Sequence, residues 1–131
     1  MFIEILPALL WIIAAVMAFN IIVITIMRGQ IFVPRSKRPP VNPVSWTMVM
    51  LHVASFVMAI VPFPVYALTA DAMDVDVRDF YEMNAFGAAI IIIVLVMLEI
   101  LVMYLQARHA METEMDRKLG IAIHKNDDDT K

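Results

Sequence analysis

Three long apolar stretches, separated by two short polar ones, organise this chain. Ile5 to Met27 carries no charge and is interrupted only by Pro7, Asn20 and Thr25; Ser45 to Leu68 carries none; Asn84 to Leu105 carries one, Glu99. At a rise of about 1.5 Å per residue, each is long enough to cover the ~30 Å hydrocarbon core of a bilayer. The pattern predicts an all-α integral membrane protein, a single membrane domain over 1–131 with three transmembrane helices at about 3–27, 45–68 and 84–105. The acidic start at Glu4 and the length of the first run predict a retained span, where a cleaved leader would begin with bases. Pro7 falls in the first turn, where a missing N–H costs nothing, and marks a helix start. Ser45 is the expected N-cap of the second span, with Trp46 at the interface. Pro62 and Pro64 interrupt the backbone ladder late in that span and predict a kinked or unwound last turn.

The polar segments differ in sign. Residues 28–43 carry Arg28, Arg35, Lys37 and Arg38, no acid, and four prolines, which predicts an extended basic linker with no helix through Pro39, Pro40 and Pro43. It suits either an ordinary positive-inside loop or a strap contacting anionic lipid or a partner subunit. Residues 70–82 carry five acids and one arginine, which predicts an acidic loop leading to an interfacial helix start at Phe80 and Tyr81. A calcium loop of the EF-hand kind is not supported, because D-A-M-D-V-D has no glycine. Beyond the third span, Met111, Met115 and Leu119 recur every four residues. That stripe extends the third helix past the membrane surface by about three turns, with Glu114 and Lys118 paired and Gly120 as its stop. It offers a lipid or partner contact. The end of the 106–131 tail, His124 to Lys131, is expected to be solvated.

Lysine and arginine near span ends set orientation. The first loop has four and the second one, so the basic loop lies inside, with the N-terminus outside and the C-terminus inside. The host membrane is then a bacterial or archaeal cell membrane or a mitochondrial inner membrane. Composition agrees: hydrophobic residues make up 62% of 131 positions and charged ones 18%, with a mean hydropathy of +0.80. That leaves no soluble mass for a catalytic domain. With no cysteine, disulfides, thiolate metal sites and cysteine nucleophiles are excluded. Four bases beside a bilayer, with Phe32 as their one aromatic, do not make a nucleic-acid surface.

Candidate chemistry lies inside the spans. With helical rise fixing depth, Asn20, His52 and Glu99 fall level, about 10–13 Å from the basic ends of their helices. They form an expected intramembrane polar layer, joined by Ser55, in which Glu99 accepts from His52. Such a layer fixes helix packing, relays protons, or through His52 provides one axial haem ligand or the polar side of a quinone site. A second haem histidine would have to come from a partner subunit.

Two partial likenesses bear on this. F-I-E-I-L-P at the start resembles the opening of a one-span accessory subunit of respiratory complex I, and E-M-D-R-K-L-G resembles the charged stretch after that subunit's span; here two further spans intervene. Three spans and one intramembrane histidine are similar to the small anchors of succinate dehydrogenase, whose polar serine- and arginine-bearing segment before the first span is missing here. Neither likeness assigns a family.

The expectation is therefore a small non-catalytic accessory subunit of a larger energy-converting or transport complex, with bilayer lipid and other membrane subunits as partners. No small-molecule substrate and no cofactor of its own are expected. The alternatives are an anchor contributing a haem or quinone site through His52, and a holin-like self-assembling pore former. The latter needs a continuous polar helix face, which the isoleucine-rich third span lacks.

Overall fold

A computed structural model describes the backbone of residues 2–129 and the side chains of residues 2–119. Four helices follow in order: α1 (Phe2–Gly29), α2 (Trp46–Ile60), α3 (Pro62–Thr69) and α4 (Val75–Asp129). Single 3₁₀ turns occur at Arg35–Lys37 and Ala70–Ala72. Three stretches, Phe2–Gly29, Trp46–Ala72 and Val75–Leu119, are long and apolar enough to cross a membrane, the pattern of a multi-pass membrane protein.

α1 is the central element and touches every other helix. It runs parallel to α4 in a register of 77 residues, fixed where the Tyr81 hydroxyl donates to the Glu4 carbonyl and where Trp11 Nε1 donates to the Ala88 carbonyl at 3.2 Å. α2 runs the opposite way along the same face, so that Ala59 meets Ala14 and Ile92. The face of α1 that does this work is Ala14, Ala18, Ile21, Thr25 and Gly29, spaced by three or four. Its small residues let backbones approach closely, which is how helices gain packing energy where lipid supplies no hydrophobic drive. At Gly29 the approach is close: a Cβ there would sit 3.1 Å from Gln106 Cα. α1 then ends with a bond from the Ile31 N–H to the Ile26 carbonyl at 3.3 Å, closed by Gln30 at φ 49°.

Burial is inverted relative to a water-soluble domain. The largest fully buried side chains are His52, Glu99, Thr25 and Ser55, while Ile, Val, Phe and Met side chains cover the outside of every span. Hydrocarbon demands this arrangement, because it satisfies no polar group.

The spans fall where the apolar pattern puts them, and the ends differ. Ser45 caps α2, its side chain accepting from the Met48 N–H at 3.2 Å. The proline pair starts a new helix after one interrupted residue, Val61, with Pro62 buried at the first position of α3. The expected acidic loop over 70–82 is shorter: α4 begins at Val75, nine residues before Asn84. An acid in a first turn complements the positive end of a helix, so Asp76 favours helix there, and the Asp74 N–H is held by Glu4 Oε1 at 3.3 Å. Gly120 does not stop α4, which continues to Asp129; an interior glycine costs only about 1 kcal/mol, and no proline follows. The expected solvated tail, His124 to Lys131, lies outside the residues whose side chains are described.

The basic linker takes an extended course around its 3₁₀ turn and lies against α4 of the same chain. Arg38 Nη1 meets Glu112 Oε2 at 2.6 Å, Arg35 Nη2 meets Asp116 Oδ1 at 2.8 Å, and the Val41 N–H donates to Thr113 Oγ1 at 3.1 Å. Buried Val41 anchors it. Hydrogen bonding from Arg38, reinforced by the nearby Arg35 charge, holds the Glu112 carboxyl below the ordinary carboxylate range. The i,i+4 pair that forms on α4 is Arg108 with Glu112 at 3.6 Å; the expected Glu114–Lys118 contact is not among the ion pairs of the described residues.

Candidate functional site

At the middle of the bundle, three helices each deliver polar groups to one point. From α2, one helical turn brings His52 and Ser55 to the same face; from α4 comes Glu99; from α1 comes Thr25, one turn before the close-packed Gly29. His52 Nδ1 lies 3.1 Å from Glu99 Oε2, Ser55 Oγ donates to Glu99 Oε1 at 2.6 Å, and His52 Nε2 lies 3.4 Å from Thr25 Oγ1. All four side chains are at most 1% exposed. Phe56 packs against the imidazole, ring centres 6.2 Å apart, and screens it further.

The hydrogen bonds fix where protons sit. The single hydroxyl proton of Thr25 is committed to the Ile21 carbonyl at 2.7 Å, so Thr25 faces His52 as an acceptor and Nε2 carries hydrogen. The Nδ1–Oε2 contact then holds one more proton, on either the imidazole or the carboxyl. In both forms the pair is neutral overall, the state that a low-dielectric interior tolerates. This is a closed acid–base pair with one proton to share, and its remaining oxygen is taken by Ser55.

A second polar group lies two turns further along α4. His109 Nδ1 donates to the Gly29 carbonyl at 2.6 Å, relieving one of the unpaired carbonyls at the end of α1. Gln106, 3% exposed, keeps its Oε1 without a hydrogen-bond partner.

Of the expected layer, His52, Ser55 and Glu99 come together, and Asn20 does not join them. It is exposed on the outward face of α1. The reason is angular: Asn20 is two residues from Ala18, about 200° around the helix, while Thr25 continues the buried spacing of Ala14, Ala18 and Ile21. Level depth alone does not bring residues together. Comparison with protein-family models, curated proteins and solved structures yields no match. The functional reading therefore rests on the geometry. Of the expected contact residues, Arg35 and Arg38 are engaged within the chain, whereas Arg28 and Lys37 are exposed. Met111, Met115 and Leu119 are 59%, 50% and 57% exposed, on a stripe that the linker leaves bare.

Thr25, Gln106 and His109 were not singled out from the sequence. The readable signal for Thr25 was the three-and-four spacing from the alanines. For Gln106 and His109 it was the same spacing continued from Glu99 and Val102, beyond the point where the apolar run ends.

Proposed function

We propose that this chain is a small non-catalytic subunit of a larger multi-subunit membrane complex of the energy-converting or transport kind, oriented with its basic linker and α4 extension inside and its Met1 end outside. The observation that carries this reading is the α4 extension. One side is clamped by the linker through Arg38–Glu112, Arg35–Asp116 and Val41–Thr113, and the other presents Met111, Met115 and Leu119 bare beyond the last apolar turn. A helix held rigid by its own loop, with an apolar stripe left outside the hydrocarbon, is suited to a neighbouring subunit. The buried pair supports a structural role: both imidazole nitrogens of His52 are engaged, so a haem iron or quinone would have to displace Thr25 or Glu99. Apart from Asn20, the outward faces along the spans carry no continuous polar stripe, which disfavours a self-assembled water pore.

The test is affinity capture in mild detergent through a tag at Lys131, followed by native mass spectrometry and an absorption spectrum of the same sample. Stoichiometric membrane partners whose retention is lost on Met111→Glu and Met115→Glu are expected. A clean monomer would overturn the reading. A Soret band lost in His52→Ala would replace it with the haem-anchor alternative.

A further inference from the structure

The end of the bundle opposite the linker holds a cavity of about 420 Å³ between α1, α3 and α4, within the roughly 300–1,000 Å³ of small-molecule sites. Trp11, Phe63, Tyr66 and Tyr81 form its walls, and the floor is Gly87 and Ala88 on α4. A Cβ built on Gly87 meets nothing within 4 Å. Small residues of α4, Ala85, Gly87 and Ala88, leave this space open. An adjoining cleft shares Ala8, Phe80 and Tyr81 with it and adds Glu4 and Asp76. The Tyr66 hydroxyl on the chamber wall donates to Glu82 Oε1 at 3.3 Å.

An apolar aromatic chamber with a polar rim calls for an amphiphile, and the rim charges decide its head. Two carboxylates in the adjoining cleft, Glu4 and Asp76, favour an ammonium group there. We propose that this cavity binds one phospholipid with an amine-bearing zwitterionic headgroup, an acyl chain in the chamber over Gly87 and the ammonium at Glu4 and Asp76. Anionic headgroups are repelled at the same rim. The site is complete within one chain, so it depends on the membrane setting and not on the accessory-subunit reading.

The chain has two tryptophans, and only Trp11 lines the cavity. Full-length Trp46→Phe protein, delipidated in a nonionic detergent, is titrated with phosphatidylethanolamine or phosphatidylglycerol carrying the same brominated acyl chains, and Trp11 emission is followed. Saturable quenching is expected, with the amine-headed lipid acting at about ten-fold lower concentration, the effect of one charge-assisted contact. Gly87→Phe should abolish the saturable component. Glu4→Gln with Asp76→Asn should erase the headgroup preference while keeping saturation, a test that stands even if the glycine variant misfolds. Non-saturating quenching, equal action of the two lipids, or a folded Gly87→Phe protein that still saturates would each overturn the proposal. Partners captured or not in the subunit test leave these outcomes unchanged.

Discussion

Replacing Glu99 separates two explanations of the buried pair: hydrogen-bond complementarity and negative charge. Glu99 makes two contacts from α4 to α2, with Ser55 at 2.6 Å and His52 at 3.1 Å. Glu99→Leu removes both. Interhelical hydrogen bonds in membrane proteins average about 0.6 and reach about 1.7 kcal/mol, so the pair accounts for ~1–3 kcal/mol. His52 Nδ1 is then left without a partner in a dry site, adding about 1–3 kcal/mol, whereas Ser55 can turn to a carbonyl of its own helix. The total expected loss is about 2–6 kcal/mol. Glu99→Gln keeps both contacts, because its oxygen accepts from Ser55 and its amide donates to Nδ1 of a neutral His52; the expected loss is below about 1 kcal/mol. The assay is reversible unfolding in mixed SDS and nonionic detergent, followed by tryptophan emission and helical circular dichroism. If Glu99→Gln is as damaging as Glu99→Leu, a fixed carboxylate charge holds the bundle and the shared-proton reasoning is wrong.

Three further outcomes follow from other contacts. Arg38 holds the Glu112 carboxyl below its ordinary range, so the pair's contribution is complete above the unfolded carboxylate range and is lost as pH falls through the lower folded value. Unfolding should accordingly show Glu112→Gln about 0.5–1 kcal/mol less stable than the parent at neutral pH, with the difference closing in acid. Gly29→Leu places a side chain where even a Cβ lies 3.1 Å from Gln106 Cα, and should cost about 1–3 kcal/mol and shift the His109 imidazole NMR signals as the Gly29 bond opens. Asn20→Leu, on an outward face, should leave those histidine signals and the unfolding midpoint of the isolated chain unchanged; loss of the His52–Glu99 contact in that variant would contradict its assigned position.

How much of this was legible depended on which physical signal carried it. Span positions come from apolar run length, a strong signal, and the helices begin and end within a few residues of the expected limits except at the acidic segment and past Gly120, where α4 continues to Asp129. At the acidic segment composition suggested loop, while the local energetics of an acid in a first helical turn made helix. Depth was readable from rise per residue, and it grouped His52, Ser55 and Glu99 correctly. Depth carries no information about direction around the helix, and this is why Asn20 was grouped with them and Thr25 was not. Gly29 shows a third limit. A glycine after an apolar run commonly ends a helix, yet here the turn is made by Gln30 and Gly29 is used for contact with α4. Nothing in one sequence distinguishes a glycine that turns from one that packs until the partner, here Gln106, is known.

The polar contacts also explain why a bundle with so little specific apolar packing holds one register. Sliding α4 along α1 would cost lipid nothing, since isoleucine, valine and leucine are interchangeable against acyl chains. Three polar fastenings prevent it: Tyr81 on the Glu4 carbonyl at one end, Trp11 on the Ala88 carbonyl further in, and His109 on the Gly29 carbonyl at the other end. The Thr25–His52–Glu99 chain then ties α2 to both helices at mid-depth. A shift by one residue would turn each of these groups about 100° away from its partner and leave Trp11 and the Thr25–His52–Glu99 chain unsatisfied in hydrocarbon. Polar residues here do what shape complementarity does in a water-soluble core. That frees the outward apolar surface from any role in folding, so substitutions among Ile, Val and Leu on it should be silent for the isolated chain and felt only where a lipid or a neighbouring subunit is bound.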